Sequence, residues 1–167
     1  MLNKKISLLV LISLFLHIGH GLAQNSVAIA KKSSVSLNLT ELAHESLKGK
    51  PVADSSIWIN YHTIVSPSEP PLSITAEIAS GQIPEGFQVF IEVRPQRGMS
   101  IGKHGTPTGK VAMGHMPRAV LQNIGSSDTG KGISVGHQVI VSFEIIDFSL
   151  IQPGETSLYI QFTLKTE

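Results

Sequence analysis

Hydrophobic residues recur at every second position along most of this chain, and that spacing decides what it can fold into. Val35, Leu37 and Leu39 alternate with Ser34, Ser36 and Asn38. Ile57, Ile59, Tyr61, Thr63 and Val65 repeat the pattern, with Trp58 and Ile64 on the opposite face, so that both faces of this strand are expected to be covered. Further stripes run through Leu72, Ile74, Ala76 and Ile78, then through Phe87, Val89, Ile91 and Val93. Val139, Val141, Phe143 and Ile145 make another, and Leu158, Ile160, Phe162 and Leu164 the last. A period of two throws successive side chains to opposite faces of a strand, whereas a helix would need a period near 3.6. Turn chemistry separates the stripes: Ser66 to Pro71, Gln82 to Gly86 with Pro84 and Gly86 bracketing the turn, and Gln152 to Glu155. The pattern predicts an all-β chain of two antiparallel sheets packed face to face, with a closed barrel as the alternative. Thr40 to Lys48 departs from it. Leu42, Ala43 and Leu47 fall at helical spacing between Thr40 as N-cap and Gly49 as terminator, which predicts one short helix.

The first segment has a different character. Lys4 and Lys5 precede an eleven-residue apolar run from Ile6 to Leu16, and Gly21 and Ala23 supply small residues before Gln24. Residues 1–23 therefore read as a signal peptide that is cleaved, leaving a β-sandwich domain over residues 24–167. The run falls short of the ~20 residues that cross a bilayer, so no membrane span is expected after cleavage. The location expected is secreted: periplasm, cell surface or extracellular.

Composition then removes several function classes. The chain has 13 Lys plus Arg against 12 Asp plus Glu, and cutting the leader removes two lysines and no acid. A balance so even does not suit a nucleic-acid binder that works by charge. No Cys is present, so disulfide frameworks, thiolate zinc sites and cysteine nucleophiles are excluded. A mature chain of about 144 residues can still bury roughly two-thirds of its unfolded surface, enough for a core without staples.

Few residues suggest chemistry. Met99, His104, Met113, His115 and Met116 fall in a Gly- and Pro-rich middle stretch with little periodicity, read as loop over residues 95–118. Thioether and imidazole together suit Cu(I), so these five are the candidate metal ligands. The competing reading makes Met an adaptable packing residue and His an exposed polar one. Gly132-Ile-Ser-Val-Gly136 fits the spelling of a nucleophile elbow, but a strand pattern rather than a helix follows Ser134. Gly105 to Lys110 resembles a phosphate loop and fails it at His104 and Val111. Trp58 and Tyr61 would serve a sugar-stacking platform if exposed, and the core of a sandwich if not. No catalytic residues, no cofactor and no enzymatic activity are expected.

Leu121 to His137, with the strands that follow, resembles a group of uncharacterised exported bacterial proteins. The matching residues are Ile124, Gly125, Thr129, Gly130, Gly132, Gly136, His137, Asp147 and Phe148, with Gly81, Pro84 and Gly86 upstream. Ser127 and Asp128 stand where that group often has Cys and Tyr. The resemblance implies a single immunoglobulin-like or pilin-like antiparallel β-sandwich serving as a structural or adhesive surface module. Its partners would be other envelope or fibre subunits. In a pilus-type subunit an extended terminal segment completes a neighbour's sheet, and residues 24–36 are the candidate arm. The alternative is a ligand-binding module, for copper through the Met/His stretch or for a glycan through exposed aromatics.

Overall fold

The computed structural model describes residues 25–30, 52–152 and 157–167. The leader at 1–23, the alternating stripe at Val35 to Leu39, the helix expected over Thr40 to Lys48 and most of the turn at Gln152 to Glu155 lie outside these. Among the described residues the fold is all-β. Nine strands follow one another as β1 (Ser26–Ala30), β2 (Val52–Thr63), β3 (Leu72–Ser80), β4 (Phe87–Val93), β5 (Ile101–Pro107), β6 (Lys110–Ala112), β7 (Arg118–Asp128), β8 (His137–Ile145) and β9 (Tyr159–Thr166). A single 3₁₀ turn, Phe148–Leu150, interrupts them. No described helix is long and apolar enough to cross a membrane.

Every pairing is antiparallel, within one nine-stranded sheet of order β6-β4-β8-β2-β7-β3-β9, with β1 added beside β2 and β5 beside β7. The path ends at β6 and β9, so the sheet is open and the barrel alternative does not apply. β2 changes partner along its length. It pairs with β8 from Val52 to Ile59 and with the end of β7 at His62 and Thr63. A polar clasp fixes this corner: Thr63 Oγ1 donates to the Gly125 carbonyl at 2.7 Å and lies 3.1 Å from Ser127 Oγ.

The stripes legible in the sequence become the core. Leu72, Ile74, Ala76 and Ile78 on β3, Val89, Ile91 and Val93 on β4, and Val139 and Val141 on β8 join Ile59 and Tyr61 of β2 in one buried cluster. Trp58 and Asn60, on the other face of β2, are buried as well, so both faces of that strand are covered as its composition indicated. Ile160, Phe162 and Leu164 of β9 pack against the cluster while remaining half-buried, as an edge strand does.

The middle stretch corrects the sequence reading. Residues 95–118 were expected to be loop, yet they hold β5 and β6. Periodicity fails there because the strands are irregular. Gly102 has φ +92, a Cβ on it would lie 2.1 Å from the Ser126 carbonyl oxygen, and the ladder shifts register between Gly102 and His104. β7 likewise carries register shifts against β3, with Asn123 at φ 59, so Val120 and Leu121 are both buried although adjacent. A strand with two bulges shows no clean alternation.

Candidate functional site

The deepest polar arrangement among the described residues lies where β2, β8 and β5 meet. His137 opens β8 opposite Ile59 of β2, and its ring is almost completely buried. Its Nδ1 lies 2.9 Å from the Arg94 carbonyl, which can only accept. The Nε2 atom lies 3.1 Å from the Tyr61 hydroxyl and 3.1 Å from the His104 carbonyl. Tyr61 donates its hydroxyl proton to that same carbonyl and stacks on the imidazole, ring centroids 5.7 Å apart and planes 11° from parallel. Burial pushes the Tyr61 pKa up. Burial also holds His137 below the ordinary imidazole value, against the opposing pull of the Arg94 and His104 carbonyls.

Neighbouring groups extend the arrangement. The Tyr61 backbone N–H donates to Thr129 Oγ1 at 2.8 Å, and Thr129 N–H returns to the Tyr61 carbonyl at 3.0 Å. Asn60 grips the loop between β7 and β8: its Nδ2 donates to the Val135 carbonyl at 2.8 Å, and its Oδ1 accepts from Gly132 N–H at 2.9 Å. These contacts rigidify the 129–136 loop. They place no nucleophile against His137, because both ring nitrogens face carbonyls or the phenol and Ser134 stands exposed at φ 71.

The five candidate metal ligands occupy different places. Met113 is buried in the hydrophobic core, where its N–H donates to the Val89 carbonyl. His115 is exposed and its Nδ1 bonds the Ile78 carbonyl at 2.9 Å. Met116 is exposed nearby. His104 lies on β5, level with Ile124 and hence with the Leu72 end of β3, away from Ile78 and His115. Met99 projects into solvent from the connection between β4 and β5. The structure thus brings His115 and Met116 to one end of β3, places Met99 and His104 elsewhere, and turns Met113 inward. Among the described residues no three His, Asp or Glu side chains converge in a way that could hold a metal ion. Trp58 and Tyr61 are 8% and 3% exposed, so neither offers a ring face to a sugar.

Sequence reasoning missed one surface feature. Arg94, Pro95, Gln96, Arg97, Gln138 and Ile140 line an open cleft of about 550 Å³ beside the start of β8. Arg94 pairs with Glu92 at 2.9 Å, and Gln96 Oε1 is buried there without a donor. The two arginines are visible in the sequence, but only the loop's fold onto β8 makes a cleft of them.

No protein-family model, curated protein or solved structure matches this chain. Its function has to be argued from its own residues.

Proposed function

We propose that this chain is an exported structural or adhesive module of the cell envelope or its exterior, a pilus-type subunit that folds as an antiparallel β-sandwich and can exchange its first strand with a neighbour. The observation that carries the reading is β1. This short strand lies on the outer edge of β2, in register from Ser26 opposite His62 to Ala30 opposite Trp58. It is separated in sequence from β2 by residues 31–51, and Val27 is its contribution to the core. A strand that completes an edge in its own chain carries the hydrogen bonds needed to complete the same edge in a second copy.

Other features agree with the reading. The change of partner along β2, together with one core shared by β2, β3, β4, β7 and β8, suits two layers joined at the Thr63–Ser127 corner. The leader-like segment at 1–23 and the resemblance through Ile124 to Phe148 support export. Buried groups that bond one another rather than converge on a cleft fit a scaffold better than a catalyst.

Exchange is tested by cysteine pairing in a background that has no other thiol. Ser26→Cys with His62→Cys places two exposed, directly opposed positions on β1 and β2. Exchange between copies gives disulfide-linked ladders on a non-reducing gel that grow with concentration, whereas a chain carrying either cysteine alone gives at most a disulfide-linked dimer. Intramolecular disulfides alone, with monomers by size exclusion at every concentration and with or without residues 24–36, would remove the assembly reading.

A further inference from the structure

Two connections cross side by side at the end of the fold where β4 leads into β5 and β7 leads into β8. Arg97 and Gly136 form an isolated antiparallel bridge between them, with N···O distances of 2.9 and 3.0 Å in the two directions. Gly98 lies against Val135, and Gly130 against the Met99 backbone. The loops present aliphatic side chains to solvent: Met99 is 94% exposed, Ile101 77% and Ile133 67%. Three large apolar side chains standing clear of the surface, two on adjacent loops and one at the start of β5, are unlike the singly scattered exposed residues of an ordinary surface.

The charges around them have one sign to spare. Arg94, Arg97, Lys103 and Lys131 are all exposed at this end. Two carboxylates offset part of this charge: Glu92 pairs with Arg94 at 2.9 Å, and Asp128, which accepts from Gly130 N–H at 2.8 Å and faces His62 Nδ1 at 3.5 Å, is also attracted by Lys131; the four cations still outnumber the two acids. The cleft lined by Arg94, Gln96 and Arg97 opens beside the loops and shares Arg97 with them. Aliphatic tips beside a surplus of cations match the outer layers of an anionic lipid surface: acyl chains and headgroup phosphates. A protein partner would more commonly be met by aromatic anchors, and these tips carry none.

We propose that this end of the molecule is a docking surface for an anionic lipid membrane. Met99, Ile101 and Ile133 enter the outer acyl layer, while Arg94, Arg97 and Lys131 hold headgroup phosphates. The proposal does not depend on strand exchange and survives its failure.

The test is sedimentation of the mature chain with phosphatidylglycerol vesicles and, separately, with phosphatidylcholine vesicles at low salt. The expected result is binding to phosphatidylglycerol alone. Binding falls by about tenfold or more in Met99→Ser/Ile101→Ser/Ile133→Ser and in Arg94→Gln/Arg97→Gln, each with an unchanged β-sheet dichroism spectrum. If the triple variant loses that spectrum, Met99→Ser and Ile133→Ser, both outside the strands, carry the same comparison singly. Absence of binding, equal binding to the two lipids, or indifference to the apolar substitutions overturns the proposal. So does full competition by glycerol phosphate, which would assign the arginines to a soluble phosphate. A mature chain that is dimeric and becomes monomeric in the triple variant would give the patch to a second copy and equally overturn it.

Discussion

Changing Tyr61 to Phe removes one oxygen atom from the most buried polar arrangement described. The ring stays where it is, 5.7 Å from the His137 ring, so packing and stacking are retained. The loss is the phenol that donates to the His104 carbonyl and lies 3.1 Å from His137 Nε2. After the change that carbonyl faces only Nε2, at 3.1 Å. A neutral imidazole carries one N–H, whereas its two nitrogens face the Arg94 and His104 carbonyls, both of which can only accept. Without the phenol, one of these two buried carbonyls is left with no donor. Leaving a buried acceptor unsatisfied costs roughly 1–3 kcal/mol. A loss of about 2 kcal/mol lowers Tm by about 5 °C in a domain of this size. The assay is urea unfolding at pH 7.5, read with the linear extrapolation. Tyr159→Phe is the control, because Tyr159 is 63% exposed and its change is expected to stay within about 0.5 kcal/mol. If the Tyr61 variant is no less stable than the Tyr159 variant, the tyrosine–histidine–carbonyl arrangement contributes nothing and the reasoning fails.

Three further outcomes follow from the same geometry. Because burial holds His137 below its ordinary pKa, the unfolded chain takes up the proton first; this part of the stability is present above about pH 6.5 and is lost as pH falls through that value toward the lower folded pKa, and His137→Gln should flatten the slope of unfolding free energy against pH in that window. Gly136→Ala should fold poorly or lose several °C in Tm, since a Cβ there lies 2.4 Å from the Ile59 carbonyl oxygen and 2.5 Å from Asn60 Nδ2 at a φ of +84; a Tm within about 2 °C of the parent would contradict the tight approach. Met113→Ala should cost about 2–4 kcal/mol in chemical denaturation while Met99→Ala and Met116→Ala stay within about 0.5 kcal/mol, and equal effects at the three positions would contradict their placement.

The strands that could be read from the sequence are those whose two faces differ. β4 alternates cleanly, with its apolar positions buried; β3 and β8 keep the apolar stripe on the core side, although Ser73 and Thr75 of β3 and Ser142 of β8 are buried as well and Phe143 and Ile145 only half-buried. β7 was hidden by its bulges at Val120 and Asn123, and β5 by Gly102 and by exposure along most of its length. The tyrosine–histidine arrangement leaves no trace in a sequence, because the groups facing the imidazole include the backbone carbonyls of Arg94 and His104, which any residue could supply. Met113-Gly-His-Met116 is conspicuous as a run, but its two methionines part in the fold: Met113 follows β6 and is buried in the core, while Met116 lies in an exposed bend. Arg94 and Arg97 were plain to see and had no reading until the loop that carries them was folded back on β8.

The partner switch on β2 bears on how the polypeptide acquires its shape while it is being made. The ladder along Val52 to Ile59 is completed only by His137 to Val139 and the residues that follow, up to Phe143, and the corner at Thr63 only by Ser127. A nascent chain emerging from the ribosome N-terminus first therefore holds β2 without its principal neighbour until residues 137–143 have been synthesised. Pairings so distant in sequence are slow to form, because loop closure must be met before any contact rewards it. Until residues 137–143 emerge, the edge of β2 along Val52 to Ile59 stays without its ladder.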